Sequence, residues 1–162
     1  MAVDQFMELS GINGESKDAI YKTKKAIDVL AWSWGMSQSG SFHGGGGGGA
    51  GKANFQDLSF TKYIDNSTPT LMQKLATGAH IDTATLTVRK AGTTPLEYIH
   101  LKMKKIMVTS ISTGGSGGED KLTENVTLNF AEFEFDYTNQ LPTGGKGTEV
   151  PFKFDISGNE NQ

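Results

Sequence analysis

Thr83-Ala84-Thr85-Leu86-Thr87-Val88-Arg89 alternates side-chain character at every step, and that period of two constrains the chain more than any other feature. In an extended strand Ala84, Leu86 and Val88 fall on one face, and Thr83, Thr85, Thr87 and Arg89 on the other. Threonine at alternate positions favours a strand over a helix. Comparable segments run from Val3 to Leu9, Ile27 to Ser37, Phe55 to Tyr63, Leu96 to Ile111, Leu122 to Tyr137 and Val150 to Ile156. Seven or eight strands of this kind predict a mostly β fold, a barrel or sandwich. After Leu122 the apolar positions run Val126, Leu128, Phe130 and then change parity to Ala131, Phe133, Phe135, Tyr137, which predicts a bulge or barrel corner near Phe130 and Ala131.

Helix punctuation occurs once: Thr68 as N-cap, Pro69 at the first helical position and Gly78 just past the end predict a short flanking helix over Pro69 to Thr77. Leu71, Met72 and Leu75 form its apolar stripe. At 162 residues and 36% hydrophobic content the chain suits one domain spanning 1–162, with an extended Gly-rich loop at about 39–53. It contains no cysteine, which removes disulfides, thiolate metal sites and cysteine nucleophiles. A formal net charge of −3 gives no overall basic field for nucleic acid or an anionic membrane. Neither a Sec-type leader nor a membrane-length apolar run is present.

Several features imitate chemistry. Gly46 to Lys52 follows the spacing of a phosphate-binding loop, but Ala53 stands where a Ser or Thr must ligate magnesium, and the residues that follow read as a strand rather than a helix. Six consecutive glycines instead describe an extended loop that orders on meeting a neighbour. His43, His80 and His100 lack metal-ligand spacing, and Ser116 in Gly114-Gly115-Ser116-Gly117-Gly118 misses the nucleophile elbow. Glu132, Glu134 and Asp136 alternate along one strand face and read as a solvated or interface edge. Trp32 and Trp34 read as core residues sharing a face with Leu30 and Met36, with Val29, Ala31 and Ser33 as a small-residue face opposite. No catalytic residue, cofactor or metal is predicted.

Three motifs, in order, carry a family resemblance: Ala31-Trp32-Ser33-Trp34-Gly35-Met36-Ser37-Gln38-Ser39-Gly40; Gln56-Asp57-Leu58-Ser59-Phe60-Thr61-Lys62-Tyr63-Ile64-Asp65; and Ser112-Thr113-Gly114-Gly115-Ser116-Gly117-Gly118-Glu119-Asp120 leading into Leu122 to Leu128. Together they resemble the Hcp family of type VI secretion systems, from Ala2 to about Tyr137. The resemblance implies a β-barrel of two sheets with one short flanking helix, phage tail-tube-like, assembling as a homohexamer whose rings stack into a tube. It further implies a contractile sheath, a spike protein and small secreted effectors as partners, cytoplasmic assembly in the bacterium and export without a cleaved signal.

On the same basis Gly40, Ser41, Phe42, His43, Gly44, Gly49 and Lys52 belong to the loop that reaches a neighbouring subunit or ring, anchored at Ser39 and Asn54. Ser33 and Ser116 are candidates for the effector-facing wall, with small interface residues as the equal alternative. The stretch Asp18-Ala19-Ile20-Tyr21-Lys22-Thr23-Lys24-Lys25 is more basic than the family pattern, and Phe133 and Phe135 make the late strand more apolar. A sandwich binding module that uses Trp32 and Trp34 is the competing reading; a nucleotide-dependent enzyme rests only on the imperfect glycine loop.

Overall fold

In the computed structural model, which describes residues 2–41 and 49–162, the alternating segments become β1 (Val3–Leu9), β2 (Ile27–Ser33), β7 (Leu58–Tyr63), β8 (Ile81–Lys90), β9 (Leu96–Thr113), β10 (Thr123–Gln140) and β11 (Lys146–Asp155). Short strands β3 (Met36–Ser37), β4 (Gly40–Ser41), β5 (Gly49–Ala50), β6 (Asn54–Phe55) and β12 (Glu160–Asn161) complete the set, with one helix, α1 (Ser67–Thr77). The order β12-β11-β10-β7-β2-β1-β8-β9, with β10 also pairing β9, closes six strands into a barrel and leaves β11 and β12 as an overhang. All pairings are antiparallel, so the barrel removes the open edges that a flat sheet would expose.

β9 and β10 are 18 residues each and belong to both walls. Residues 123–128 of β10 pair with β7, and residues 132–140 pair with β11, so the strand changes neighbour between these spans. This exchange accounts for the parity change near Phe130. The extra residue itself lies on the other strand: Thr127 pairs with Ser110 and Leu128 with Val108, which leaves Thr109 unmatched. Lys105, also on β9, takes a positive φ of 56° close by.

Inside, Met7, Leu58, Leu86, Leu101, Ile106, Val126 and Leu128 are fully buried. Phe133 joins this core to the overhang, touching the rings of Trp34, Phe55, Phe130, Phe152 and Phe154. Trp34 donates its indole N–H to the Gln56 carbonyl at 2.8 Å. The expected single strand Ile27 to Ser37 is broken after Ser33. A register shift between Val29 and Ala31 also reverses parity there. Val29 therefore points inward, while Ala31 and Ser33 face out, which corrects the expected grouping of all three on one face.

The helix begins earlier than expected, with Asn66 rather than Thr68 at its N-cap. Asp65 takes the Ser67 N–H at 2.9 Å, so the first turn is satisfied before Thr68 is reached. Thr68 turns inward instead and donates to Glu124 at 2.6 Å. Lys62, 0% exposed, pairs with Glu124, with Asp65 at 3.0 Å and with the Thr68 hydroxyl at 3.1 Å. A buried ammonium survives only with such a complete set of partners. The cluster ties the α1 entry to β7 and β10. Gly78 caps the far end in the left-handed conformation, as its position predicts. Of the apolar stripe only Leu71 is buried, whereas Met72 and Leu75 stay exposed.

Candidate interface and lumen surface

The outward positions of β2, β7, the first half of β10 and the second half of β9 form a four-strand wall. Its side chains are Ala31 and Ser33, then Ser59 and Thr61, then Asn125 and Thr127, then Ser110 and Ser112. They alternate with the inward Phe60, Val126 and Leu128, so the strand period alone places them outside. Neighbouring strands are stitched by their own side chains: the Thr61 hydroxyl donates to Asn125, and Thr127 shares hydrogen bonds with Thr109 at 2.6 Å and Ser110 at 2.7 Å. None of these eight outward residues is charged. At the margin Asp57 is held by Thr109 at 2.7 Å and Asn129 at 2.9 Å, which neutralises much of its demand for solvent.

The wall stops at two flanks. Beyond Leu30, β2 has no strand on its second side, and β9 past Ile106 has none either; α1 runs against β9 there. Each flank carries an exposed apolar side chain, Leu30 at 40% and Met107 at 41%, and α1, which packs against β9, exposes Met72 and Leu75.

Ser33 lies in this wall, paired with Ser59. Ser116 lies elsewhere, in the exposed turn between β9 and β10, where its carbonyl accepts the Glu119 N–H at 3.3 Å. Ser33 is level with Thr127, whereas that turn leads into Thr123, four residues along β10 and roughly 13 Å away. The two serines are therefore not brought together within one subunit. Gly115 fixes the turn, because a Cβ there would fall 2.2 Å from the Leu122 side chain.

The Gly-rich segment rises from a narrow ribbon: Met36 pairs with Phe55, Ser37 with Asn54, Gly40 with Ala50, and Ser41 with Gly49. Gln38 donates to the Gly51 carbonyl at 2.7 Å, and Lys52 is exposed. Phe42, His43 and Gly44 lie outside the described residues, as does part of the imitation phosphate loop. The segment after that motif is strand, β6 then β7.

On the opposite side of the barrel the outer face is charged. Glu134 is bridged by Lys153 at 3.0 Å and Lys102 at 3.2 Å, and Lys102 also meets Asp136 at 3.4 Å. Burial opposes ionisation here, yet hydrogen bonds from Lys153, Asp136 and Lys102 hold Glu134 down to about 2. Burial and the neighbouring Glu134 push Asp136 up. The row expected as a solvated or interface edge is an ion ladder in which Asp136 is only 2% exposed, because β9 and β11 flank it on both sides. Sequence alternation located the acidic row but not its burial. It also missed Ser59, Thr61, Ser110, Ser112, Asn125 and Thr127, whose Ser/Thr/Asn spacing of two was the available signal.

Nearby, residues 10–26 cross the outer face of β1, β8 and β9 as a strap. Tyr21 stacks on Phe6 with ring centroids 4.0 Å apart, and its hydroxyl bonds Glu97. Arg89 reaches Asp18 at 2.6 Å and Asp4 at 2.9 Å. The hydrogen bond from Arg89 holds Asp18 down to about 2, against an ordinary value of 3.8. A depressed carboxyl contributes stability above its ordinary value and loses it as pH falls. The Tyr21 ring signals in NMR are therefore expected to stay fixed above about pH 4 and to shift between 4 and 2, and in Asp18→Asn to be displaced already at pH 5.

A closed antiparallel barrel of six strands with one flanking helix places the chain among the barrel proteins of secretion machines. The chain belongs to the Hcp family of type VI secretion systems: the family model described as "Type VI secretion system effector, Hcp" matches residues 6–137. It is 57% identical to Protein hcp1 of Pseudomonas aeruginosa over 161 residues, covering 98% of both chains. Its fold matches Hcp1 from Salmonella typhimurium with a TM-score of 0.81 at 34% identity, over 100% of each chain. A solved type six secretion system protein matches with a TM-score of 0.92 at 26% identity, over 99% of this chain and 100% of that one. No helix among the described residues is long and apolar enough to cross a membrane.

Proposed function

We propose that this chain is the ring-forming subunit of the type VI inner tube, a structural protein and not an enzyme. Six copies close head to tail, the Leu30 flank of one meeting the Met107 and α1 flank of the next. Because these two flanks are different surfaces, each copy leaves one free for another neighbour, and a contact of that kind either closes into a ring or runs on as a filament. The uncharged hydroxyl wall then faces the lumen, where Ser33 meets small secreted effectors, and Ser116 lies towards the rim. The Gly-rich segment from Gly40 to Lys52 serves the contact with the adjacent ring, based on the ribbon that pairs Gly40 with Ala50 and Ser41 with Gly49. The stacked tube carries the spike, is propelled by the contractile sheath, assembles in the bacterial cytoplasm and leaves through the machine itself.

The observation that carries this reading is the wall: four strands of small, neutral, mutually hydrogen-bonded side chains bounded by two exposed apolar flanks. A surface of this kind is smooth and wet and does not clamp cargo. The competing ligand-binding module is disfavoured because Trp32 and Trp34 both pack against the core, Trp34 in a T-shaped contact with Phe133 and with its N–H already bonded. Light scattering coupled to size exclusion decides the matter. The parent chain is expected at the mass of six subunits, and Leu30→Asp at the mass of one, since a carboxylate buried in that contact would lack a partner. A monomeric parent, or a hexameric Leu30→Asp variant, would remove the proposed contact.

A further inference from the structure

The strap across β1, β8 and β9 carries Lys17, Lys22, Lys24 and Lys25, all exposed, in a chain that is acidic overall. Residues 15–25 hold a formal +2, four lysines against Glu15 and Asp18, so the rest of the chain holds −5. This segment is built rather than loose. Besides the Tyr21 stack and the Arg89 bridge, Gly14 donates its N–H to the Lys25 carbonyl at 2.8 Å, and Ala26 donates to the Tyr21 carbonyl at 3.1 Å. Gly14 passes so close that a Cβ would sit 2.5 Å from the Ala26 carbonyl oxygen.

Lys25 itself is strained, with a φ of 53°. An L-residue seldom adopts that conformation; Lys105 and Asn159 share it among the described residues, whereas Gly11, Gly78 and Gly144 adopt positive φ without the Cβ penalty. The Lys25 side chain forms no ion pair among the described residues. Lysine where glycine would be relaxed points to a requirement for the charge, since strain of this kind persists at positions that serve function. Ile20, half exposed, stands among the four lysines.

We propose that the strap is a docking surface for an acidic protein segment on the side of the barrel opposite the hydroxyl wall. The lysines supply complementary charge, and Ile20 supplies an apolar contact that a phosphate surface would not use. The −5 carried by the remainder repels an extended polyanion such as duplex DNA or an anionic bilayer, whereas a narrow acidic segment meets the strap alone. The placement on the tube exterior rests on the ring reading; the binding does not.

A short fluorescein-labelled glutamate-rich peptide tests this by anisotropy, with the full chain and with each variant's mass checked by light scattering. Lys22→Glu with Lys24→Glu is expected to weaken binding by at least about tenfold, and Lys104→Glu with Lys105→Glu, an equal change of net charge at exposed positions away from Ile20 and the four lysines, by less than about twofold. Lys25→Gly is expected to keep or raise the melting temperature while weakening the peptide. Equal losses from the two charge pairs, no binding at all, a lower melting temperature for Lys25→Gly, or displacement of the peptide by duplex DNA or phosphatidylserine vesicles would each overturn the proposal. A change of mass in these variants would count against the ring contact and not against the strap.

Discussion

Replacing Glu124 with alanine is expected to lower the melting temperature by roughly 10 °C. The carboxylate is 2% exposed and faces Lys62, which is 0% exposed, so the substitution leaves an ammonium in the barrel with Asp65 as its remaining counter-charge. Removing one member of a buried pair costs about 3–5 kcal/mol, and for a chain of this size each kcal/mol moves the midpoint by roughly 2–4 °C. Thr68 and Thr113 lose their acceptor at the same time. The double variant Lys62→Met with Glu124→Leu removes both charges and is expected to recover most of the loss. Calorimetry on the three variants checks the argument; a double variant no more stable than Glu124→Ala would show that the pair acts through shape and not charge.

Phe133→Ala is expected to cost about 3–5 kcal/mol, the range for emptying a buried aromatic position. Its ring touches five others, two of them on the β11 overhang and one, Phe55, at the base of the Gly-rich ribbon. Loss of that single ring therefore loosens the barrel, the overhang and the ribbon together. Trp34, packed edge-on at a centroid distance of 4.9 Å, reports the change directly. Its fluorescence is expected to shift to the red in the native baseline, and urea unfolding to begin earlier. An unchanged emission maximum would mean that Phe130 alone shields the indole.

The strand period made Ile81–Lys90 and its neighbours legible because apolar and polar residues alternate along them, even where the strap covers Thr87 and Arg89 on the outer face. It also gave the α1 C-terminus, where Gly78 supplies a conformation that other residues resist. What it could not give was anything decided by non-local pairing. Thr68 reads as a cap by local rule, yet Glu124, distant in sequence, claims its hydroxyl together with the buried Lys62. Val29 reads as a partner of Ser33 until the register shift beside Leu30 turns it inward. Ser33 was legible as a small outward residue within a recognisable motif, but the rest of its wall emerges only when four strands are laid side by side. Asp136 shows the same limit from the other direction, since alternation predicts solvent and cross-strand neighbours supply burial.

The position of β1 sets a timetable. Val3–Leu9 is translated well before Ile81–Lys90 but finds its long partner only there, with every residue from Val3 to Leu9 paired. Until that stretch has been translated the first strand has only the brief Phe6–Met7 contact with β2 to occupy it. Barrel closure is therefore a late event, gated by the search of one chain end for a segment some eighty residues away, and contacts of such range slow folding. The β9–β10 hairpin, whose strands are joined by residues 114–122, is the natural place for order to begin. A nascent chain held before residue 81 would present a sticky, unpaired strand to its surroundings, so the interval between synthesis and closure is when this protein most needs protection from its own copies.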